Sequence, residues 1–221
     1  MYEIEIIEKL SKMPVFDLGD VNQIIQNKLY AKKVVSKLVK AGKVKKIRKG
    51  LYTFYDDALL IATFLVKPSY ISSVSALSYY HRITQIPKEV FCFTSKTTRK
   101  YFFIERINFY STKFFFGFEL KKYLNFKIPI ATPEKALIDS IGKVPVTVIE
   151  DCFENLNVER MIFYLKKIGK SSIIKRIGYL LEIHNYDVFP VLRKYIDSKY
   201  IPLDPLAKTK EIKNTKWKII T

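Results

Sequence analysis

The chain opens with a helical pattern of apolar residues. Ile4, Ile7 and Leu10 recur at helical spacing, and Pro14 closes this first predicted helix. Asp17 suits the N-cap of a second, shorter helix, because its carboxylate can accept hydrogen bonds from free N–H groups of the first turn. The beginning of the chain therefore predicts two short helices in succession.

A third helix is predicted from about Leu29 to Ala41, where Gly42 stops it as a glycine after a helix C-terminus does. One side of this helix is an apolar stripe made of Ala31, Val34, Val35 and Leu38. The opposite side carries the polar residues at positions i, i+3, i+4 and i+7, namely Lys33, Ser36, Lys37 and Lys40.

Two short strands are predicted next, turned around Lys49-Gly50. Val44 and Ile47 belong to the first strand, and Leu51 begins the second. Three helices followed by a hairpin is the order of elements in a winged helix-turn-helix, whose third helix enters the major groove while the hairpin lies along phosphates. The pattern therefore predicts a DNA-binding winged helix-turn-helix over residues 1–55.

The second part of the chain has a different pattern of apolar and aromatic residues. A helix is predicted from Ala58 to Val66, and Ser72 or Ser73 suits the cap of the next one. From Val90 to Ala131 the chain consists of short aromatic and β-branched runs, separated by polar turns. Such runs predict strands, and Phe114-Phe-Phe is one of them.

Helices return after these strands. Thr132-Pro133-Glu134 suits a helix start, because threonine can cap, proline is tolerated at the first position and glutamate meets the positive helix end. Three more helices are predicted between Val158 and Ser198, before a basic tail and a possible strand at Trp217. The predicted class is α+β, with the winged helix-turn-helix followed over residues 56–221 by a larger mixed α/β domain that ends in helices.

Positive charge is concentrated in the predicted winged helix. The chain has 39 Lys+Arg against 21 Asp+Glu, which gives a formal net charge of +18. Between Asp20 and Asp56 there are ten positive charges and no acidic residue. Because a solvated helix face normally mixes both signs, this block indicates a surface that binds anions, and nucleic acid is the commonest partner of such a surface.

Eleven residues are the predicted contacts with double-stranded DNA. Those on the third helix would face the groove, and those of the hairpin would hold phosphates. Lysine is a poorer reader of guanine than arginine, so we expect sequence choice to depend on Tyr30, Ser36 and DNA shape. The full set is Tyr30, Lys32, Lys33, Ser36, Lys37, Lys40, Lys43, Lys45, Lys46, Arg48 and Lys49.

No catalytic constellation is visible along the chain. His81 and His184 are the two histidines, and neither has a second metal ligand at i+3 or i+4. Cys92 and Cys152 are too few for a disulfide framework or a four-cysteine zinc site. We therefore expect no cofactor, no metal site and no enzymatic activity.

A membrane partner is not expected either. The longest mostly apolar stretch, Ala58 to Val66, has nine residues, against about 18 for a candidate membrane span. The acidic, alternating N-terminus is unlike the basic-then-apolar order of a signal peptide. The expected location is cytoplasmic.

Several segments resemble a known family. They are Lys49-Gly-Leu-Tyr, Pro68-Ser-Tyr-Ile-Ser-Ser-Val-Ser-Ala-Leu, Ala131-Thr-Pro-Glu-Lys-Ala-Leu-Ile-Asp, and the closing Ile201-Pro-Leu-Asp-Pro with Trp217. In this order they resemble the AbiEi-type antitoxins, which are the antitoxin and regulator halves of abortive-infection toxin–antitoxin pairs. The resemblance implies a repressor that binds inverted repeats in its own promoter, where a homodimer would match the repeats. It also implies an antagonist of a nucleotidyltransferase-like toxin.

Two other functions stay open at the level of sequence. The first is a nucleic-acid-processing enzyme with a nuclease-like C-terminal domain, for which metal-dependent cleavage would speak. The second is an RNA-binding or interaction module, in which exposed Tyr and Phe rings would stack on bases. Exposure of the rings on a sheet face would favour that module, whereas their burial would make them core.

Overall fold

The computed structural model describes residues 3–207 and 212–221. Its class is α+β, as predicted. Three helices and a small sheet occupy the N-terminal part: α1 (Glu3–Ser11), β1 (Phe16–Asp17), α2 (Leu18–Ile25), α3 (Lys28–Lys40), β2 (Lys45–Arg48) and β3 (Leu51–Thr53). The strand β1, absent from the sequence prediction, pairs antiparallel with β3 and makes the hairpin a three-stranded sheet of order β1-β3-β2.

Local capping fixes where α2 and α3 begin. The Asp17 carboxylate accepts hydrogen bonds from the N–H groups of Gly19 and Asp20 at 2.6 and 3.0 Å, and the Asp20 side chain accepts from Asp17 N–H at 2.8 Å. This reciprocal capping box confirms the predicted N-cap. Asn27 caps α3 by accepting from Tyr30 N–H at 3.0 Å. The short connection between the caps sets α3 directly after α2.

The N-terminal core holds the three helices against the small sheet. Its buried residues are Ile6, Leu10, Phe16, Val21, Ala31, Val34, Val35, Leu38 and Val44. The predicted stripe of α1 was wrong in one member, because Ile4 is 79% exposed while Ile6 is buried. Ile6 and Leu10 are four positions apart and therefore lie on the same face of α1, which packs on the core. Ile4 lies on a different face of the helix.

A six-stranded mixed sheet forms the centre of the second part, in the order β6-β7-β5-β4-β9-β8. The pairs β5/β7 and β4/β9 are parallel, and the other three are antiparallel. Its strands and the helices between and after them are α4 (Ala58–Leu65), β4 (Ser69–Ile71), α5 (Ser73–Tyr79), β5 (Glu89–Thr94), β6 (Arg99–Phe103), β7 (Glu105–Ser111), β8 (Phe118–Tyr123), β9 (Phe126–Ala131) and α6 (Pro133–Ser140).

The run from Phe114 to Phe116 is not a strand, contrary to the sequence prediction. It lies in the connection between β7 and β8, and its three rings pack half-buried against the core. The Phe115 ring meets the rings of Tyr70 and Phe118 edge-on, at centroid distances of 5.3 and 5.0 Å. These residues are apolar because their rings cover the core, not because their backbone joins the sheet.

The predicted C-terminal helices are followed by a small sheet, which agrees with the possible strand predicted at Trp217 but not with a domain that ends in helices. After α7 (Val158–Ile168), α8 (Ser171–Ile183) and α9 (Phe189–Leu192) comes a second small sheet. Its strands are β10 (Ile201–Pro202), β11 (Lys213–Asn214) and β12 (Ile219–Ile220), in the order β10-β12-β11. Trp217 precedes β12, is fully buried, and covers Gly178 of α8, where a Cβ would overlap its ring. Part of the predicted basic tail, residues 208–211, lies outside the described residues.

The helices are short throughout. The longest, α3 and α8, have 13 residues each. Within residues 3–207 and 212–221, no helix is both long and apolar enough to cross a membrane.

The two hydrophobic clusters meet at the segment that follows β3. Phe54 packs on the N-terminal cluster, whereas the next residue, Tyr55, packs on the larger C-terminal one. The Tyr55 hydroxyl donates to the carbonyl of Ser11 at 2.5 Å, and its ring meets Phe126 edge-on at 5.3 Å. Tyr55 therefore ties the end of α1 to the large sheet.

Candidate nucleic-acid interface

The outer face of α3 is a lysine-lined surface. Because Ala31, Val34, Val35 and Leu38 are buried, the helix presents its polar side to solvent. That side forms a shallow concavity lined by Lys32, Lys33, Ser36, Lys37, Lys40 and Ala41. All eleven residues predicted from the sequence to contact DNA are exposed.

The hairpin turn stands beside this helix. β2 and β3 pair antiparallel, with Lys46 opposite Tyr52 and an irregularity in register between Lys46 and Arg48. Gly50 follows Lys49 in the turn and has a φ of +78°, a left-handed conformation in which a side chain would be strained. The glycine thus allows a tight turn whose tip carries the exposed Lys49.

Glu3 of α1 places a carboxylate among these cations. It accepts a hydrogen bond from Lys37 Nζ at 2.5 Å, and Lys43 Nζ lies 3.7 Å from its other oxygen. The hydrogen bond from Lys37 holds the pKa of Glu3 below its ordinary value, and the same contact raises the pKa of Lys37. Both groups are therefore charged at neutral pH, and Glu3 partly neutralises two of the eleven predicted residues.

Two residues of the hairpin also have internal partners. Lys45 forms an ion pair with Asp56, which directly follows the acid-free block. The Arg48 guanidinium lies over the Tyr101 ring at 5.7 Å and its Nη1 is 3.4 Å from the Tyr101 hydroxyl, so it faces the large sheet. Within the described part of the chain, the side chains of the remaining seven make no hydrogen bond or ion pair; these are Tyr30, Lys32, Lys33, Ser36, Lys40, Lys46 and Lys49.

Sequence reasoning missed these partners because they lie outside the block. Glu3 and Lys37 are 34 positions apart, and only the packing of α1 beside α3 brings them together. A signal was present along the chain only for Asp56, because it directly follows the acid-free block, whereas Glu3 lies upstream of Asp20. The unpaired cations thus concentrate on α3 and at the tip of the hairpin.

A second polar group of residues is buried in the larger part, and we call Tyr70, Ser72, Lys135 and Asp139 the buried cluster. Asp139 accepts hydrogen bonds from the hydroxyls of Tyr70 at 2.9 Å and Ser72 at 2.8 Å. Lys135, one helical turn earlier on α6, forms an ion pair with Asp139 and donates to the Tyr70 hydroxyl at 2.9 Å. The segments around Ser72 and Asp139 that carry the family resemblance therefore meet here.

Burial acts against both charges of this cluster. It lowers the pKa of Lys135 and raises the pKa of Asp139, while the attraction between the two groups opposes both shifts. The Lys135 ammonium also lies over the rings of Tyr70, Phe93 and Phe116, at 5.4 to 5.8 Å. Lys135 and Ser72 are 0% exposed, so the cluster holds elements together inside the protein and presents no group to solvent there.

Ser72 corrects one prediction. It stands at the N-cap position of α5, but its side chain makes no capping hydrogen bond. Its hydroxyl is directed to Asp139 instead, because a buried carboxylate is the stronger acceptor. Thr132, by contrast, caps α6 as predicted by accepting from Lys135 N–H at 3.4 Å.

Glu134 and Asp139 do not share partners. Glu134 is buried, accepts a hydrogen bond from Asn157 N–H at 3.1 Å, and has its second oxygen 3.7 Å from Arg160 Nη1. Asp139 faces Lys135 and the cluster hydroxyls. A nuclease-like active site would bring these two carboxylates together, but here each contacts a different element of the fold.

The aromatic residues of the large sheet are mainly core. Phe91, Phe93, Phe103 and Phe109 are buried, whereas Phe102 on the edge strand β6 is 76% exposed. A broad exposed platform of rings, which would favour stacking on RNA bases, is therefore lacking among the described strands.

Comparison with known proteins adds information about the fold. No family model matches the chain, and no curated protein matches it in sequence. Among solved structures, the crystal structure of the RV2827C protein from Mycobacterium tuberculosis is similar, with a TM-score of 0.66. The match covers 97% of this chain and 89% of that chain at 13% sequence identity, so the likeness concerns the fold alone.

A double-mutant cycle can measure the coupling between Lys135 and Asp139 in the buried cluster. Lys135→Met or Asp139→Asn alone leaves a buried charged partner uncompensated, which costs about 3–5 kcal/mol. We expect Lys135→Met/Asp139→Asn to cost clearly less than the sum of the two, as measured by urea unfolding at neutral pH.

The exposed pair Lys9–Glu5 is the matched control, because it has the same i,i+4 spacing on α1 at 2.9 Å. Its cycle, Lys9→Met with Glu5→Gln, should give a coupling of about 0.5 kcal/mol or less. Equal coupling in both cycles would contradict the role assigned to the buried cluster.

Proposed function

We propose that this protein is a DNA-binding transcriptional regulator that represses its own promoter and serves as the antitoxin of an AbiE-like toxin–antitoxin pair. The observation that carries the DNA-binding part is the face of α3. Five of its exposed residues with no internal side-chain partner in the described chain are Tyr30, Lys32, Lys33, Ser36 and Lys40.

The dimensions and charge of this face suit duplex DNA. A helix of 13 residues is about 20 Å long, and its width with side chains is that of the major groove, about 12 Å. Lys46 and Lys49 project from the adjoining hairpin, where a phosphate backbone would run. The same order of three helices and a hairpin is typical of winged helix-turn-helix proteins.

The regulatory and antitoxin parts of the proposal rest on the resemblance to AbiEi-type antitoxins. On that basis the operator is a pair of inverted repeats in the protein's own promoter, bound by two copies in the cytoplasm. The functional partner is a nucleotidyltransferase-like toxin. On this proposal α3 and the hairpin repress the promoter, while the larger part of the chain protects the cell from the toxin.

The first experiment separates local contacts from total charge. Binding of the full chain to a labelled duplex from its own upstream region is followed by fluorescence anisotropy across salt concentrations. About five to eight phosphate contacts would give a slope of log affinity against log salt of roughly −4 to −7. We expect Lys33→Ala/Lys40→Ala to reduce the magnitude of this slope by about 2, because each lost contact removes about 0.9.

Lys88→Ala/Lys166→Ala is the control, since both lysines are exposed, lie in the larger part, and change the net charge equally. This variant should bind DNA with the wild-type slope. A slope that falls equally in both variants would assign binding to overall charge, and a wild-type slope near zero would refute a phosphate-binding surface.

Glu3 provides a variant that should strengthen binding. Glu3→Gln frees Lys37 and Lys43 from a carboxylate that competes with phosphate. We expect the salt slope to become more negative by about 1–2, because up to two further phosphate contacts form. Glu5→Gln, which alters the other acidic residue in the first turn of α1, is the control and should leave the slope unchanged. No change in Glu3→Gln would mean that these lysines do not contact DNA.

The antitoxin part is tested in cells with a nucleotidyltransferase-like toxin encoded beside this chain. Co-expression of the wild-type chain should restore growth, and Lys33→Ala/Lys40→Ala should lose repression of a promoter reporter while still protecting. Failure of the wild type to protect would refute the antitoxin role. Loss of protection in the folded variant would show that DNA binding itself provides the protection.

A further inference from the structure

A cavity opens beside the segment that follows β3, and we call it the linker cavity. It has a volume of about 500 Å³, within the range of small-molecule sites. The segment after β3, the end of α5, the turn between β6 and β7, and β8 all contribute to its wall. Its defining residues are Asp56, Leu59, Ser78, Tyr79, Glu105 and Tyr123.

Apolar side chains line much of this cavity. Leu59 and Val90 belong to its wall, and Ile86 and Ile104 extend the apolar surface to solvent, with 86% and 47% of their area exposed. Ile104 has a φ of +63°, which is rare for a β-branched residue. Large apolar groups exposed beside a concave site are typical of binding surfaces.

The charge of the lining identifies the class of ligand. Four of the lining residues are acidic and none is Lys or Arg, although the chain as a whole has 39 Lys+Arg against 21 Asp+Glu. The acidic residues are Asp56, Asp57, Glu89 and Glu105. A site of this sign inside a strongly basic protein is complementary to a cation and unsuited to phosphate.

Three of these carboxylates already have partners. Asp57 accepts hydrogen bonds from Leu60 N–H and the Tyr123 hydroxyl, Asp56 pairs with Lys45, and Glu89 accepts from two side chains of β7. Glu105 makes no side-chain hydrogen bond or ion pair with any residue that the structure describes. It lies close enough to contribute to the raised pKa of the Tyr123 phenol, although burial is the main cause of that shift.

Two tyrosine rings line the same cavity as this carboxylate. The rings of Tyr79 and Tyr123 have centroids 6.4 Å apart and planes inclined by 54°. Their hydroxyls donate to the carbonyl of Lys122 and to Asp57, at 2.9 and 2.8 Å, which fixes the orientation of both rings. Inclined aromatic faces next to a carboxylate attract an ammonium group through cation–π and ionic interaction together.

We propose that the linker cavity binds a small organic cation, a protonated primary amine with an apolar or aromatic stem. The ammonium group lies between Glu105 and the ring of Tyr123, and the stem contacts Leu59, Val90 and Ile86. This binding goes beyond the proposed function and does not depend on it, because none of these residues belongs to the proposed DNA contacts.

The probe is 4-phenylbutylammonium, added to the full chain without DNA and followed by the methyl resonances of Leu59, Ile86, Val90 and Ile104. We expect saturable shifts of these methyl groups, with a Kd at least about tenfold lower than that of 4-phenylbutan-1-ol, because only the amine makes the charge-assisted contact. Methylammonium, which lacks the stem, should bind more weakly still. Equal affinity for amine and alcohol, or shifts spread over the whole chain, would overturn the proposal.

Two variants act on independent features of the site. Glu105→Gln should raise the Kd for the amine about tenfold and abolish its preference over the alcohol. Ser78→Phe, which fills the cavity and breaks no side-chain hydrogen bond, should abolish binding of both compounds. Glu159→Gln, an exposed carboxylate on α7 outside the cavity, is the control and should bind as the wild type does. Wild-type affinity in Glu105→Gln, with a melting temperature showing that it is folded, would also refute the site.

Discussion

The buried pair of Lys135 and Asp139 constrains how the larger part of this protein folds. A charge inside a protein is tolerated only when a partner and further hydrogen bonds surround it. Here the partners come from β4, from the start of α5 and from α6 itself, so these elements must assemble together. The helix α6 supplies both charges at i and i+4, which leaves β4 and α5 to bring Tyr70 and Ser72.

At the protein surface the excess of positive charge is itself destabilising, because like charges repel one another. Glu3 of α1 and Asp56, which directly follows the acid-free block, pair with lysines of α3 and the hairpin and reduce this repulsion. Among the cations predicted to contact DNA, those that keep no such partner within the described residues lie on the solvent side of α3 and in the hairpin. In the linker cavity the charges are separated in the opposite sense, since four acidic residues line it and no Lys or Arg does.

Features with a local cause could be predicted from the sequence. The caps Asp17 and Thr132 depend on atoms within three residues, and α3 follows from its own periodicity. Features with a distant cause could not. The strand β1 exists because Phe16 meets Tyr52, and the pairing of Glu3 with Lys37 requires that α1 and α3 have already packed. The Phe114 run misled because aromatic residues that cover a core have the composition of a strand. The exposure of the residues predicted to contact DNA could be derived from the sequence, whereas their internal partners and the linker cavity needed the tertiary structure.

Trp217 gives this architecture an internal reporter. It is the one tryptophan of the chain, fully buried against Gly178, with its indole N–H donating to Glu182 at 3.0 Å and its ring meeting Phe189 edge-on. Trp217 and Phe189 belong to the larger hydrophobic cluster, and the N-terminal cluster contains no indole. Intrinsic indole fluorescence consequently follows the unfolding of the C-terminal helices and their small sheet, while the three N-terminal helices can lose their structure without altering the emission wavelength.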